Sequence, residues 1–141
     1  MKKVFIDTSA WISLVAAKDP YHKAVAGEWR QLLAGGAPLL TSNDVISETI
    51  THLRYHAGHG VAVSFWQTIG EAARENRLAV KWVDEALFNQ AWKIFSDYAD
   101  QDFSMADCTS FALCQRERIT RALTLDRHFQ TVGLEVIPNT I

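Results

Sequence analysis

The chain has 141 residues, of which 48% are hydrophobic and 21% charged, a composition that excludes a disordered or fibrous protein and suits one domain. Its 14 Lys and Arg residues against 16 Asp and Glu residues give a formal net charge of −2, which does not indicate a strongly basic nucleic-acid-binding protein. The apolar run at residues 10–17 is too short to cross a membrane, and the apolar stretch near the amino terminus ends at Asp7, too early for a signal peptide. We expect a single domain over residues 1–141, located in the cytoplasm and without a membrane segment.

Short apolar segments alternate with segments of helical periodicity along the chain. In chain order, the predicted elements are a strand at 3–6, helices at 9–17 and 20–33, a strand at 38–41, helices at 43–56 and 61–74, a strand at 78–83, helices at 84–98 and 104–118, and strands at 122–125 and 135–137. Glycines at 35–36 and at 58 and 60 mark helix ends. Strands alternating with helices predict an α/β fold with a parallel sheet that is covered on both faces.

Two cysteines lie in the predicted 104–118 helix. Cys108 and Cys114 are six residues apart, which places them about 120° apart around a helix. They therefore should not form a disulfide with each other, and reduced thiols agree with a cytoplasmic protein.

Two aspartates follow predicted strands. Asp7 comes directly after the first strand, and Asp126 directly after the fourth. Each residue is also a good helix N-cap, which is an alternative explanation for either one alone. Because the carboxyl ends of parallel strands meet at one edge of the sheet, where ligands bind, we expect the two carboxylates to lie close together.

Asp107 is a third candidate at the same edge. It lies three residues after Ser104, as in a capping box, and it also shares one helical stripe with Phe111 and Cys114. A carboxylate on an apolar stripe is costly unless it is paired, hydrogen-bonded or bound to metal. We therefore favour a functional role for Asp107 beside Asp7 and Asp126.

Two further acids are candidates for the same site. Glu48 falls outside the apolar arc of the 43–56 helix, so alone it would be interpreted as a surface acid, but it would complete an oxygen-rich site. Asp102, close to the start of the 104–118 helix, is a candidate further ligand. Converging acids without intervening Lys or Arg require a cation, and oxygen ligands favour Mg²⁺ or Mn²⁺. Such ions activate water and stabilise the leaving oxygen in phosphodiester hydrolysis.

Four segments resemble the PIN-domain ribonucleases. They are VFIDTS at 4–9, Glu48, FSMADC at 103–108 and LTLDRHF at 123–129, and the small size resembles the VapC-type toxins of toxin–antitoxin pairs. The resemblance implies a three-layer fold with a central five-stranded parallel sheet flanked by helices, and a Mg²⁺- or Mn²⁺-dependent endoribonuclease. It implies a catalytic and metal-binding set with polar neighbours, comprising Asp7, Glu48, Asp107 and Asp126 with Thr8, Ser9 and Thr124, and less directly Asp102.

The resemblance also implies partners. They are an RNA substrate, a cognate antitoxin protein and a second copy of the chain in a homodimer. The alternative within the family is a non-catalytic RNA-binding or scaffold PIN domain. Five tryptophans suit either a core or a partner-facing patch, and the sequence does not separate the two interpretations.

Other kinds of site are less well supported. Glu48, His52, His56 and His59 suggest zinc, but the His-Glu-x-x-His motif is missing and no cysteine lies near. An aspartyl-phosphate phosphatase usually has a second acid where this chain has Ser9. A response-regulator receiver usually has a lysine after its last strand, which is absent here.

Basic residues near the acids in sequence are candidates for contacts with RNA phosphates, although a solvated surface is the alternative for each. These residues are Arg116, Arg118, Arg121, Arg127 and His128.

Overall fold

A computed structural model describes residues 2–139. Its elements in chain order are β1 (Val4–Ile6), α1 (Thr8–Val15), α2 (His22–Gly35), β2 (Leu39–Ser42), α3 (Asn43–His56), α4 (His59–Arg74), β3 (Ala79–Lys81), α5 (Glu85–Asp97), α6 (Met105–Glu117), β4 (Arg121–Leu123), α7 (His128–Thr131) and β5 (Glu135–Ile137). None of the helices within these residues is long and apolar enough to cross a membrane.

The five strands form one parallel sheet in the order β3-β2-β1-β4-β5. β1 lies at the centre, where Phe5 pairs with Leu40 on one side and with Ala122 on the other. All three β1 residues are fully buried, as expected for a parallel strand covered on both faces. The predicted α/β class and the five-stranded parallel sheet flanked by helices are therefore confirmed.

Aromatic side chains hold the helices onto this sheet. Trp11 of α1 packs edge-on against Trp29 of α2 and Phe65 of α4. On β1, Phe5 stacks on Phe129 of α7, which packs edge-on against Phe111 of α6. The two clusters thus pack helices against α1 and β1, the two elements that flank Asp7.

Several element boundaries differ from the predicted ones. α2 begins at His22 and not at Pro20, because the Asp19 carboxylate accepts the Tyr21 amide at 2.8 Å and forms a turn there. α4 begins at His59 and not at residue 61, because Gly58, with φ of 107°, is its N-cap and Gly60 lies within the helix. β4 ends at Leu123, so Asp126 does not follow the strand directly as predicted.

The short helix α7 was not predicted. It has four residues, too few for a periodic apolar pattern to be visible. Cys108 and Cys114 are both buried, free thiols on α6, as predicted. Of the tryptophans, Trp66, Trp82 and Trp92 are exposed, whereas Trp11 and Trp29 pack inward.

Candidate active site

Asp7 lies at the N-cap position of α1, but its carboxylate makes no capping hydrogen bond. Instead, Asp7 Oδ2 accepts a hydrogen bond from the Thr124 hydroxyl at 2.7 Å and one from the Ser9 hydroxyl at 3.3 Å. The side chain is nearly buried, with 9% of its surface exposed. The capping explanation for this residue is therefore wrong, and the carboxylate faces the end of β4.

Burial raises the pKa of Asp7 to about 6. The hydrogen bond from the Thr124 hydroxyl opposes the rise in pKa, and the charges of Asp107 and Asp126 add to it. The three carboxylates come from distant parts of the chain: the Thr124 hydroxyl bonds both to Asp7 and to the Asp126 amide, and Asp126 clusters with Asp107. A buried carboxylate beside two others is destabilised in its charged form unless a cation is present.

Asp107 has the capping role that its sequence position allows, and its carboxylate is also partly buried. The capping box is complete, because Asp107 Oδ2 accepts the Ser104 amide at 3.0 Å and the Ser104 hydroxyl accepts the Asp107 amide at 3.0 Å. Burial raises the pKa of Asp107; the hydrogen bond from the Ser104 backbone opposes this shift, while the charge of Asp126 adds to it. The capping box uses Asp107 Oδ2 and so fixes the direction of Oδ1, in a carboxylate whose charged form is destabilised by burial.

Asp126 is held by the turn that precedes α7. Its Oδ1 accepts the His128 amide at 2.9 Å, and its own amide donates to the Thr124 hydroxyl at 3.0 Å. The Ser9 hydroxyl accepts the Leu125 amide at 2.9 Å. Thr124 and Ser9 thus connect α1 to the segment after β4, so both lie where polar neighbours of the acids were predicted.

His128 completes a compact donor cluster. Its Nδ1 lies 3.4 Å from Asp107 Oδ2 and 3.3 Å from Asp126 Oδ1, and ligand atoms of the three residues lie within 4.8 Å of one another. This nitrogen is buried and has no hydrogen-bond partner among residues 2–139. A buried nitrogen without a partner, facing two carboxylates, fits a site that holds a divalent cation. From the sequence, His128 was a candidate for contact with RNA phosphate and not for this cluster, although Asp-x-His is visible at 126–128.

Glu48 is not part of this cluster but is tied to the residue after Asp7. It is exposed on α3, and its Oε1 accepts a 2.6 Å hydrogen bond from the Thr8 hydroxyl, which follows Asp7 directly. Glu48 also lines a groove of about 480 Å³ that runs along α3 and reaches Ala106, the neighbour of Asp107. Thr8 therefore connects Glu48 to the region of the other three acids.

Asp44 also contributes near this end of α6 and was not singled out from the sequence. Its Oδ2 accepts the Thr109 hydroxyl at 2.8 Å, which ties α3 to α6. An acid in the first turn of a helix is usually explained by the helix dipole, so the sequence carried no specific signal for this contact.

The histidines of α3 do not form a zinc cluster. His52 and His56 stack with ring centroids 4.0 Å apart, and His56 Nδ1 bonds to the His52 carbonyl. Within residues 2–139, the group of three metal-ligating residues that the structure brings together is Asp107, Asp126 and His128. Asp102 is exposed, and no hydrogen bond or ion pair joins it to these residues in the described part of the chain.

Three of the four predicted RNA-binding arginines lie away from the acids. Arg116 is in the last turn of α6, about 13 Å along the helix axis from Asp107, and pairs with Asp84. Arg118 caps the same end of α6, and Arg121, at the amino end of β4, pairs with Glu135. Arg127 alone lies next to the acids, between Asp126 and His128.

Comparison with known proteins gives concordant matches. The family model of the PIN domain matches residues 4–134. The "23S rRNA-specific endonuclease VapC20" of Mycobacterium tuberculosis (strain H37Rv) is 35% identical over 141 residues, covering 96% of this chain and 98% of that protein.

Solved structures agree with these matches. The crystal structure of M. tuberculosis VapC20, described as a sarcin-ricin loop cleaving toxin, superposes with a TM-score of 0.78 at 32% identity, over 93% of this chain and 95% of that one. VapBC2 from Rickettsia felis, bound to a DNA fragment from its promoter, matches with a TM-score of 0.71 at 10% identity, over 95% of this chain and 96% of that one. At that identity the second match concerns the fold alone.

Proposed function

The chain belongs to the PIN-domain family, and from this premise we propose that it is a divalent-metal-dependent endoribonuclease, the toxin of a toxin–antitoxin pair. The observation that carries the proposal is the cluster of Asp107, Asp126 and His128, whose ligand atoms lie within 4.8 Å of one another, with Asp7 joined to Asp126 through the Thr124 hydroxyl. Three carboxylates that disfavour one another's charge form a site that a cation stabilises.

The residues present fit such a cation. Asp7, Asp107 and Asp126 would hold Mg²⁺ or Mn²⁺, and Glu48 would hold it directly or through water. When bound, such a cation would contribute positive charge that favours hydrolysis of a phosphodiester and would lower the pKa of water. Asp102 is not included, because within residues 2–139 no hydrogen bond or ion pair joins it to the cluster.

The chain's own residues position these ligands. Thr124 and Ser9 orient Asp7, the Ser104 amide orients Asp107, and the His128 amide orients Asp126. Thr8 holds Glu48 at the mouth of the α3 groove. We propose that Arg127, which lies between Asp126 and His128 in the chain, contacts RNA phosphate.

The proposed substrate is 23S rRNA, because the relative of 35% identity that matches 96% of this chain is named for that activity. The proposed partners are a cognate antitoxin protein and a second copy of the chain. We further propose that residues 1–141 act as one PIN domain in the cytoplasm.

The proposal is tested by incubating the purified protein with ribosomes and with isolated 23S rRNA, in Mg²⁺, in Mn²⁺ and in EDTA, followed by sequencing of RNA 5′ ends. We expect a discrete cleavage with a 5′-phosphate product that disappears in EDTA and in Asp126→Asn. Binding of RNA without cleavage, unchanged by Asp107→Asn, would instead indicate a non-catalytic RNA-binding domain.

A further inference from the structure

We propose that His128 is a metal ligand that makes the site prefer Mn²⁺ to Mg²⁺. The proposal rests on the proposed function, since it requires that a divalent cation occupy the cluster of Asp107 and Asp126. It adds a nitrogen ligand and a metal preference to a site that would otherwise consist of carboxylates.

The position of the imidazole supports this assignment. Nδ1 lies 3.4 Å from Asp107 Oδ2 and 3.3 Å from Asp126 Oδ1, so it faces the space that both carboxylates face. The nitrogen is buried, and within residues 2–139 its polar contacts are these two carboxylate oxygens, with neither of which it forms a well-aligned hydrogen bond. A buried polar atom without a partner requires an explanation, and an ion is one that the surrounding donors can hold.

The ring is also held in place. Its other surroundings include Phe103, which packs edge-on against the imidazole with centroids 5.2 Å apart. The His128 amide is bonded to Asp126 Oδ1, so the backbone of His128 and the carboxylate of Asp126 move together. The second oxygens of both carboxylates are left for a ligand, because Ser104 and His128 bond to Asp107 Oδ2 and Asp126 Oδ1, respectively. A ligand held in this way binds without a large loss of side-chain entropy.

The chemistry of the donor set sets the preference. Mg²⁺ takes oxygen ligands almost exclusively and retains several waters, whereas imidazole nitrogen is a ligand of first-row transition metals. Replacing one oxygen by an imidazole therefore favours Mn²⁺ over Mg²⁺. His52 and His56 stack on each other, and within residues 2–139 they are not part of such a cluster.

The test is pulsed electron paramagnetic resonance of the Mn²⁺-loaded full chain, which detects directly coordinated nitrogen. The same samples give the Kd for Mn²⁺ and, by competition, for Mg²⁺. We expect a coordinated-nitrogen signal in the wild-type protein and a tighter Kd for Mn²⁺ than for Mg²⁺. The wild-type signal does not depend on whether any variant folds.

Two variants separate the donor atom from the ring. His128→Asn places an amide oxygen near the position of Nδ1, and His128→Phe retains a ring against Phe103 without a donor. Both variants should lose the nitrogen signal, and their affinity for Mn²⁺ should fall on the order of tenfold or more. In His128→Asn the affinity for Mg²⁺ should change less than the affinity for Mn²⁺. His59→Asn, an exposed residue at the start of α4, is the matched control and should retain the signal.

The outcomes separate this inference from the proposed function. Mn²⁺ bound without a nitrogen signal, with the same Kd in His128→Asn, would overturn the role of His128 and leave the metal-dependent nuclease intact. If the protein bound neither Mn²⁺ nor Mg²⁺ and still cleaved RNA in EDTA, both the role of His128 and the metal-dependent nuclease would be overturned.

Discussion

The Thr124 hydroxyl donates a 2.7 Å hydrogen bond to Asp7 Oδ2 and accepts one of 3.0 Å from the Asp126 amide. One buried oxygen therefore joins two of the three converging acids, one after β1 and one after β4. The strands themselves are adjacent in the sheet, and Thr124 extends that adjacency to the site beyond their ends.

Thr124→Val removes this oxygen while retaining the shape of the side chain. The buried Asp7 carboxylate loses a donor and the Asp126 amide an acceptor, so the free energy of unfolding should fall by about 1–3 kcal/mol. RNA cleavage should fall further than stability explains, because Asp7 and Asp126 lose their common anchor. Urea unfolding and single-turnover cleavage measure the two effects. Thr124→Ser, which retains the hydroxyl, should cleave close to the wild-type rate, and an equal loss in both variants would contradict the argument.

Asp7→Asn should stabilise the metal-free protein at neutral pH. The pKa of Asp7 is raised from 3.8 to about 6, so the stability that its protonated form contributes is present in full below pH 3.8 and is lost as pH rises through about 6. Above that pH the amide avoids a penalty of up to about 3 kcal/mol. Near pH 4 the two proteins should differ little.

Urea unfolding in EDTA at several pH values between about 4 and 8 checks this prediction. Asp102→Asn removes a negative charge from an exposed position and should not reproduce the effect. Mn²⁺ should stabilise the wild-type protein and not Asp7→Asn. A wild-type protein that is more stable than Asp7→Asn at pH 7.5 in EDTA would be inconsistent with the cost of burying the charge.

The arrangement of strands was predictable because each strand is a short apolar run separated from the next by helical periodicity. Burial on both faces of a parallel sheet produces that pattern directly, and β1 and β2 are buried throughout. The position of Asp7 followed from the same rule, since the residue after a central strand lies at the edge where ligands bind.

The finer features of the site depend on contacts between distant segments, which one sequence does not contain. Thr8 meets Glu48 across 40 positions, and Thr109 meets Asp44 across 65. His128 was missed as a ligand because its ring faces Asp107 only once α7 forms. The arginines predicted to lie near the acids also show how far one sequence can be interpreted. Arg116 is near Asp107 in sequence but lies at the other end of α6.

Glu48→Gln should impair cleavage without changing the fold. Glu48 is exposed, and a glutamine oxygen can still accept the 2.6 Å hydrogen bond from Thr8, so the free energy of unfolding should change by less than about 0.5 kcal/mol. Loss of its charge beside the proposed cation should lower cleavage on the order of tenfold to a hundredfold. Glu71→Gln, an exposed acid on α4, is the control. Cleavage at the wild-type rate would remove Glu48 from the proposed site.

Asp107→Asn should separate the two roles of this residue. The asparagine oxygen can still accept the Ser104 amide, so the capping box persists, and loss of a charge whose pKa is raised by burial removes a penalty. The metal-free variant should therefore unfold at a urea concentration equal to or higher than the wild-type protein, yet bind Mn²⁺ weakly and cleave RNA at least a hundredfold more slowly. Ser104→Ala is the complementary change, because it removes the cap hydroxyl and leaves the carboxylate. It should lower stability by about 1 kcal/mol and retain most of the cleavage. If Asp107→Asn instead destabilised the protein as Ser104→Ala does and cleaved normally, capping would be the whole role of Asp107.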